Sequence, residues 1–450
     1  MISNQQSSFS KIFVFAAVII LFAGIASAQT GKIENIAEQA ALVTEFDVNG
    51  MKVLVKRRAS APTVSVGLFI RGGARNITEK NAGIENLMLT SAVEAGKRHP
   101  RQTVRRELAA TGSSIGAGSG RDFSTISFAS TRANFDRIWE IFTDVTINPT
   151  FLPEDVERVR SQIIAAERES EISPDGALQA LSDRLVFAGH PYANDVSGNL
   201  KTLPAFTAAD LRAYHQNTMQ SSRLLLVVVG DIDADDLKMR ITTSFGVLPR
   251  GDYKEQPIPA VSFTKNTLDI VPRTIQTNYV QGVFDAPALS SPDYFSMRVA
   301  TTILQQLVYE EVRVKRNLSY APNAELNNFA ANTANIYVTA VDADQAVKVM
   351  LDQVDLLRNQ LIREDIIAGM AGQFLTNYYL GQETNAAQTA ELARYELIGG
   401  GWRNSFEFLN RIREVKPKDI QAVANKYMKN IRFAVIGNPA AIDRSIFLQN

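Results

Sequence analysis

Asp210-Leu211-Arg212-Ala213-Tyr214 runs through a polar break into the apolar Leu224-Leu225-Leu226-Val227-Val228-Val229 and stops at Gly230-Asp231. The same order returns as Asp419-Ile420-Gln421-Ala422-Val423, then Phe433-Ala434-Val435-Ile436, then Gly437-Asn438. The offsets are 209 residues between the aspartates and 207 between the glycines. A third landmark keeps the spacing: Glu154-Asp155 and Glu364-Asp365, each opening a helical pattern, lie 210 residues apart. Such self-similarity marks a duplicated unit, here about 200 residues long. Between the copies, Pro249, Gly251, Pro257 and Pro259 interrupt any regular element from Gly246 to Ser262.

Each copy mixes strands and helices. Lys52 to Arg57 alternates, with Val53 and Val55 on one face, and Val64 to Ile70 is a β-rich run ending at Gly72-Gly73. Ser124 to Ser130 is a further strand. Helical spacing predicts helices over Gly83 to Ala95, Thr103 to Ala110, Arg132 to Thr146, Glu154 to Glu171 and Ala208 to Met219, the last behind a Thr207-x-x-Asp210 capping box. Strands joined by short turns, with helices grouped between them, predict an α+β class.

Composition removes several functions. The 450 residues carry 47 Lys+Arg against 47 Asp+Glu, a formal charge of +0, which argues against a nucleic-acid partner. There is no cysteine, so disulfides, thiolate metal sites and cysteine nucleophiles are excluded. The three histidines, His99, His190 and His215, are scattered, and no second histidine stands four residues from any of them. His99 precedes Pro100 and reads as an exposed loop residue. Gly112 to Gly120 lacks the Gly-Lys-[Ser/Thr] of a phosphate loop, and no Gly-x-Ser-x-Gly elbow occurs.

At the amino terminus Lys11 precedes an apolar run, Ile12 to Ile25, and Ala26-Ser27-Ala28. This reads as a signal peptide over residues 1–28, cleaved before Gln29, and as export to a periplasm. No later stretch has the length of a membrane span, so none is expected after cleavage.

The landmarks together resemble the insulinase, or pitrilysin, family of zinc peptidases, in its mitochondrial processing peptidase-like branch. They are Gly73-Ala74-Arg75 with Gly83, the glycine-rich Leu108 to Asp122, Gly189-His190-Pro191-Tyr192, Leu225 to Asp233, and Glu311-Val312-Arg313 followed by Leu318-Ser319-Tyr320. The resemblance implies two homologous domains, 29–248 and 264–450 joined by a linker at 249–263, each a mainly antiparallel sheet with helices packed on it, closing as a clamshell.

The family binds zinc through an inverted His-x-x-Glu-His, in which the histidines hold the metal and the glutamate activates water. Counted from Gly83, those positions fall on Asn86, Leu89 and Thr90, and the distal glutamate ligand falls on Ala166. All four metal-site positions are therefore degenerate, and no cofactor is expected in this chain. A carboxylate-only site from Glu85, Glu94 or Glu167 would favour harder cations. Arg313 and Tyr320 keep the seven-residue separation that, by resemblance, places an arginine and a tyrosine near a peptide substrate; Asn317 stands where the family has glycine. The reading is a non-catalytic, substrate-binding subunit of a heteromeric zinc metalloendopeptidase acting on unfolded peptides. Its homologous catalytic partner would carry His-x-x-Glu-His and the zinc. The alternatives are an active metallopeptidase with relocated ligands and a non-proteolytic peptide-binding or assembly protein.

Overall fold

The computed structural model describes residues 36–449; the expected signal segment at 1–28 lies outside them. From Leu42 onward the chain forms one compact unit containing two sheets. The first holds β1 (Val43–Val48), β2 (Met51–Arg57), β3 (Thr63–Arg71), β4 (Ser114–Gly118), β5 (Phe123–Thr131) and β6 (Leu224–Gly230), in the order β1-β2-β6-β3-β5-β4. The second holds β7 (Thr267–Pro272), β8 (Asn278–Asp285), β9 (Asn323–Leu326), β10 (Thr333–Ala340) and β11 (Arg432–Gly437), in the order β7-β11-β8-β10-β9.

Without β1 the two sheets are the same. In each, the last strand of the half lies parallel to the first, as β6 to β2 and β11 to β7, and every other pairing is antiparallel. The helices repeat as well: Pro153–Ile172 answers Glu364–Gly381, and Ala208–Thr218 answers Pro417–Tyr427. The expected capping box forms, with Thr207 Oγ1 accepting from the Asp210 amide and Asp210 Oδ2 accepting from the Thr207 amide. Two homologous α+β halves are thus present, as the repeat predicts.

The central strands explain how the halves meet. All six side chains from Leu224 to Val229 are buried, so both faces of β6 need cover. One face packs against the half's own helices. The other meets the helix Asn385–Ile398 of the second half, which lies across β3 and β6. Gly67 permits that approach, since a Cβ there would sit 3.0 Å from Thr389 Cγ2. Reciprocally, the helix Pro174–Val186 of the first half places Leu178 and Leu181 against Ala434 and Ile436 of β11. The alternation expected in β2 fails for this reason: Leu54, opposite Val53 and Val55, is also buried, while Lys52 reaches Glu396 at 2.7 Å and Lys56 lies over the Phe406 ring.

Polar contacts fasten the same contact surface. The Asp122 carboxylate accepts from the Tyr192 hydroxyl and, at 3.1 Å, from the Ala330 amide, while the Tyr192 oxygen accepts from Ala331 at 3.2 Å. Residues 249–266 carry no helix or strand and are tied to the first half by Glu255, paired with Arg71 and Arg75.

His215 illustrates the cost of burying a titratable ring in the first core. Its Nε2 donates to the Thr146 carbonyl at 2.8 Å, and burial pulls its pKa below the ordinary 6.5. Below about pH 6.5 the unfolded chain takes up a proton that the folded chain resists, so stability falls with falling pH, at most about 1.4 kcal/mol per unit, until the folded-state value is passed. Urea unfolding at about pH 7 and about pH 5.5 should show a smaller pH-dependent loss for His215→Gln than for the parent; an unchanged loss would assign the slope elsewhere.

Candidate functional site

Gly83, at φ +82°, turns the chain into the helix Ile84–Ala92, and a Cβ on it would lie 2.3 Å from Gly198 Cα. Only glycine meets both demands. One turn along, Asn86 donates its side-chain amide to the Ser197 carbonyl at 3.1 Å. Thr90, a turn further on the same face, is half-buried. Leu89 is wholly buried in the first core, and Ala166 is exposed on the neighbouring helix Pro153–Ile172.

Tetrahedral zinc takes His, Cys, Asp or Glu donors. A methyl and an isobutyl group offer none, and the Asn86 amide is already engaged, so these residues do not fit the metal. Among the described residues no group of three or more His, Cys, Asp or Glu could hold an ion.

The nearby carboxylates are committed in different ways. Glu85, 1% exposed, accepts from Ser124 Oγ at 2.5 Å, the Tyr214 hydroxyl at 2.8 Å and Arg223 Nη2 at 3.0 Å. Arg223 also donates to the Arg71 carbonyl at 2.8 Å and to Thr218 Oγ1 at 3.3 Å, and stacks over Tyr253. Burial, then the negative Glu85, raise the Tyr214 phenol above its ordinary value, so it stays a donor. Glu94 pairs with Arg101 and Arg158. Glu167 differs: burial first, then the charges of Asp195 and Glu171, raise its pKa. Asp195 is raised by burial too, although its Oδ1 accepts from the Ser197 and Gly198 amides.

The histidines are structural. His99 is not the exposed loop residue its proline neighbour suggests; its Nδ1 lies 2.9 Å from Asp144 Oδ2, on a carboxylate with no exposed surface. His190 accepts from the Tyr192 amide through Nδ1, so Nε2 carries the proton and donates to the Pro259 carbonyl at 2.9 Å.

In the second half Arg313 and Tyr320 come together. Arg313 Nη1 donates to the Tyr320 carbonyl at 2.6 Å, and its guanidinium lies 3.9 Å from the centre of the Tyr320 ring. Tyr320 is 79% exposed, so the stacked pair faces solvent. Asn317 adopts φ +50°, a left-handed conformation that asparagine tolerates better than most residues. Arg313 lies in a π-helical turn, Tyr309–Val314, which periodicity could not foresee; such turns recur at functional sites.

With this geometry in view, a family sequence model described as "Insulinase (Peptidase family M16)" matches residues 52–197, and one described as "Peptidase M16 inactive domain" matches 205–373. The chain belongs to the M16 peptidase family. An uncharacterized zinc protease of Mycobacterium bovis is 22% identical over 408 residues, 88% of this chain and 93% of its own length. The mitochondrial-processing peptidase subunit beta of Caenorhabditis elegans is 23% identical over 300 residues, 65% of this chain and 64% of its own. Among solved structures, the peptidase M16 inactive domain from Pseudomonas fluorescens superposes with a TM-score of 0.78 at 18% identity, covering 88% of this chain and 98% of that one. The first half of a periplasmic protease from Escherichia coli gives 0.73 at 15% identity, covering 90% and 95%. This M16 chain thus carries the family fold.

The buried Glu85–Arg223 pair was missed in the sequence, although one acid in Ile84-Glu85-Asn86-Leu87-Met88-Leu89 was the signal for it. Glu85→Ala leaves Arg223 buried without its carboxylate and is expected to cost about 3–5 kcal/mol. Urea unfolding should show a lower midpoint at unchanged slope. A loss under about 1 kcal/mol would mean that the pair is not needed to hold this helix.

Proposed function

We propose that this chain is a non-catalytic, substrate-binding subunit of a heteromeric zinc metalloendopeptidase that acts on unfolded peptides. A homologous partner chain carrying His-x-x-Glu-His supplies the zinc and the general base. The observation that carries this reading is the occupancy of the four metal-site positions: Leu89 in the core, Asn86 bonded to Ser197, Thr90 a lone hydroxyl and Ala166 a bare methyl. The naming of some relatives as subunits of the mitochondrial processing peptidase and of the cytochrome b-c1 complex supports a partner.

In this reading the chain's two domains, 29–248 and 264–450 joined at 249–263, form half of a peptide chamber. Arg313 and Tyr320 bind the peptide there. The guanidinium is stacked on the ring and held by the Tyr320 carbonyl, which leaves the exposed phenol free to donate to a substrate carbonyl. Export to a periplasm rests on the signal-like residues 1–28 and is supported by a periplasmic structural relative. Among the described residues no helix is long and apolar enough to cross a membrane.

The purified chain should hold no stoichiometric zinc and should not cleave unstructured peptides. About one zinc per chain with chelator-sensitive cleavage would overturn the proposal. In a complex reconstituted with the partner, Arg313→Ala or Tyr320→Phe should lower turnover roughly 10²-fold if the pair stabilises charge on the scissile carbonyl, with zinc content unchanged. A rise in the Michaelis constant at preserved turnover would instead make it a ground-state peptide clamp. Full activity in both folded variants would remove the site assignment.

A further inference from the structure

Side chains alternate along β3. Val64, Val66, Leu68 and Ile70 enter the first core with Leu87, Met88 and Leu89, while Ser65 and Phe69 point to the opposite face. There a cavity of about 650 Å³ opens between the halves, floored by Ser65 and Phe69 of β3 and Phe123, Thr125 and Ser127 of β5. Its other walls come from the helices Tyr294–Val308, Glu364–Gly381 and Asn385–Ile398. The sheet therefore separates it from the helix bearing Asn86 and Thr90, and it is not the family's metal cleft.

The walls combine aromatic rings with polar side chains such as Asn328, Gln373 and Asn377. Phe69 and Phe123 meet edge to face at 5.7 Å, and Phe374 and Phe408 close the far side. Three charged side chains line the cavity: Arg298, Arg394 and Glu391. Arg394 pairs with Glu391, which leaves Arg298 with neither an ion pair nor a side-chain hydrogen bond to any described residue. A second donor is also idle. Tyr395 is 2% exposed, yet its hydroxyl makes no hydrogen bond to a described residue. Tyr395 lines the cavity together with Tyr294, Arg394, Tyr378 and Arg298. The Tyr294 hydroxyl, in contrast, is used by Asn328 Oδ1.

Both donors line the cavity and neither has a hydrogen-bond acceptor among the described residues. An unpaired guanidinium beside an idle phenol, within aromatic walls, matches an anionic acceptor with an apolar body. A single negative charge balances Arg298, whereas a phosphate at about −1.5 to −2 would be left undercompensated, because Arg394 is already paired with Glu391. We propose that the cavity binds a small amphiphilic carboxylate, its carboxylate on Arg298 and the Tyr395 hydroxyl and its apolar body against Phe69, Phe123 and Phe374.

Titration calorimetry of the full mature chain with decanoate tests this, with decanol as the uncharged control. Decanoate should bind saturably at one per chain and more tightly than decanol. Arg298→Gln should weaken it at least about tenfold. The isosteric Tyr395→Phe should weaken it by several fold, and neither variant should change decanol binding. Acetyl-Leu-Phe and its amide separate the two sources of a carboxylate. Displacement of decanoate by the acid alone would assign a peptide carboxyl terminus, and no displacement would assign a free acid, each consistent with carboxylate recognition. No saturable binding of either carboxylate, equal binding of decanol, or parental affinity in both variants with native circular dichroism would overturn the proposal.

Discussion

Everything else in the molecule depends on the need to cover two faces of each central strand. Leu224 to Val229 and Phe433 to Ile436 are apolar without alternation, so a single helical layer leaves half of each strand exposed to water. Burying an apolar side chain is worth roughly 1.5–3 kcal/mol, which makes an uncovered face of several residues untenable. Neither half covers itself. The helix Asn385–Ile398 goes to the first sheet, and Pro174–Val186 goes to the second. The two halves are therefore held by their cores, and contacts such as Asp122 with Tyr192, Ala330 and Ala331 add direction to an interface that apolar burial establishes.

That exchange leaves the other side of the first sheet to its own helices, where Ile84–Ala92 is pinned by Glu85, Arg223, Tyr214 and Ser124. The network is centred on Glu85, the residue next to Asn86 on the same helix. The helix is held by burial and by the hydrogen-bonded Glu85–Arg223 ion pair. In an M16 chain the fold alone does not fix the chemistry, which depends on the residues of the site.

Much was legible before any coordinates. The repeat offsets located equivalent helices and strands in both halves because apolar runs and caps are local signals. Thr207 with Asp210 shows this, the capping box forming where the sequence places it. Less legible were residues whose role depends on a distant partner. Val53 and Val55 suggested one buried face for β2, yet the second half also covers Leu54. His99 looked exposed, but Asp144, distant in sequence, binds it.

The sequence by itself determined the α+β class and the duplication, since both depend on residue identity and spacing along the chain. The tertiary structure alone decided that the halves exchange helices, that Arg223 meets Glu85 across 138 residues, and that Arg298 and Tyr395 share a cavity. Those outcomes follow from which surfaces remain unburied after each half has folded, and from which polar groups then lie opposite one another. Both are properties of packing between segments far apart in the chain, which no local pattern records.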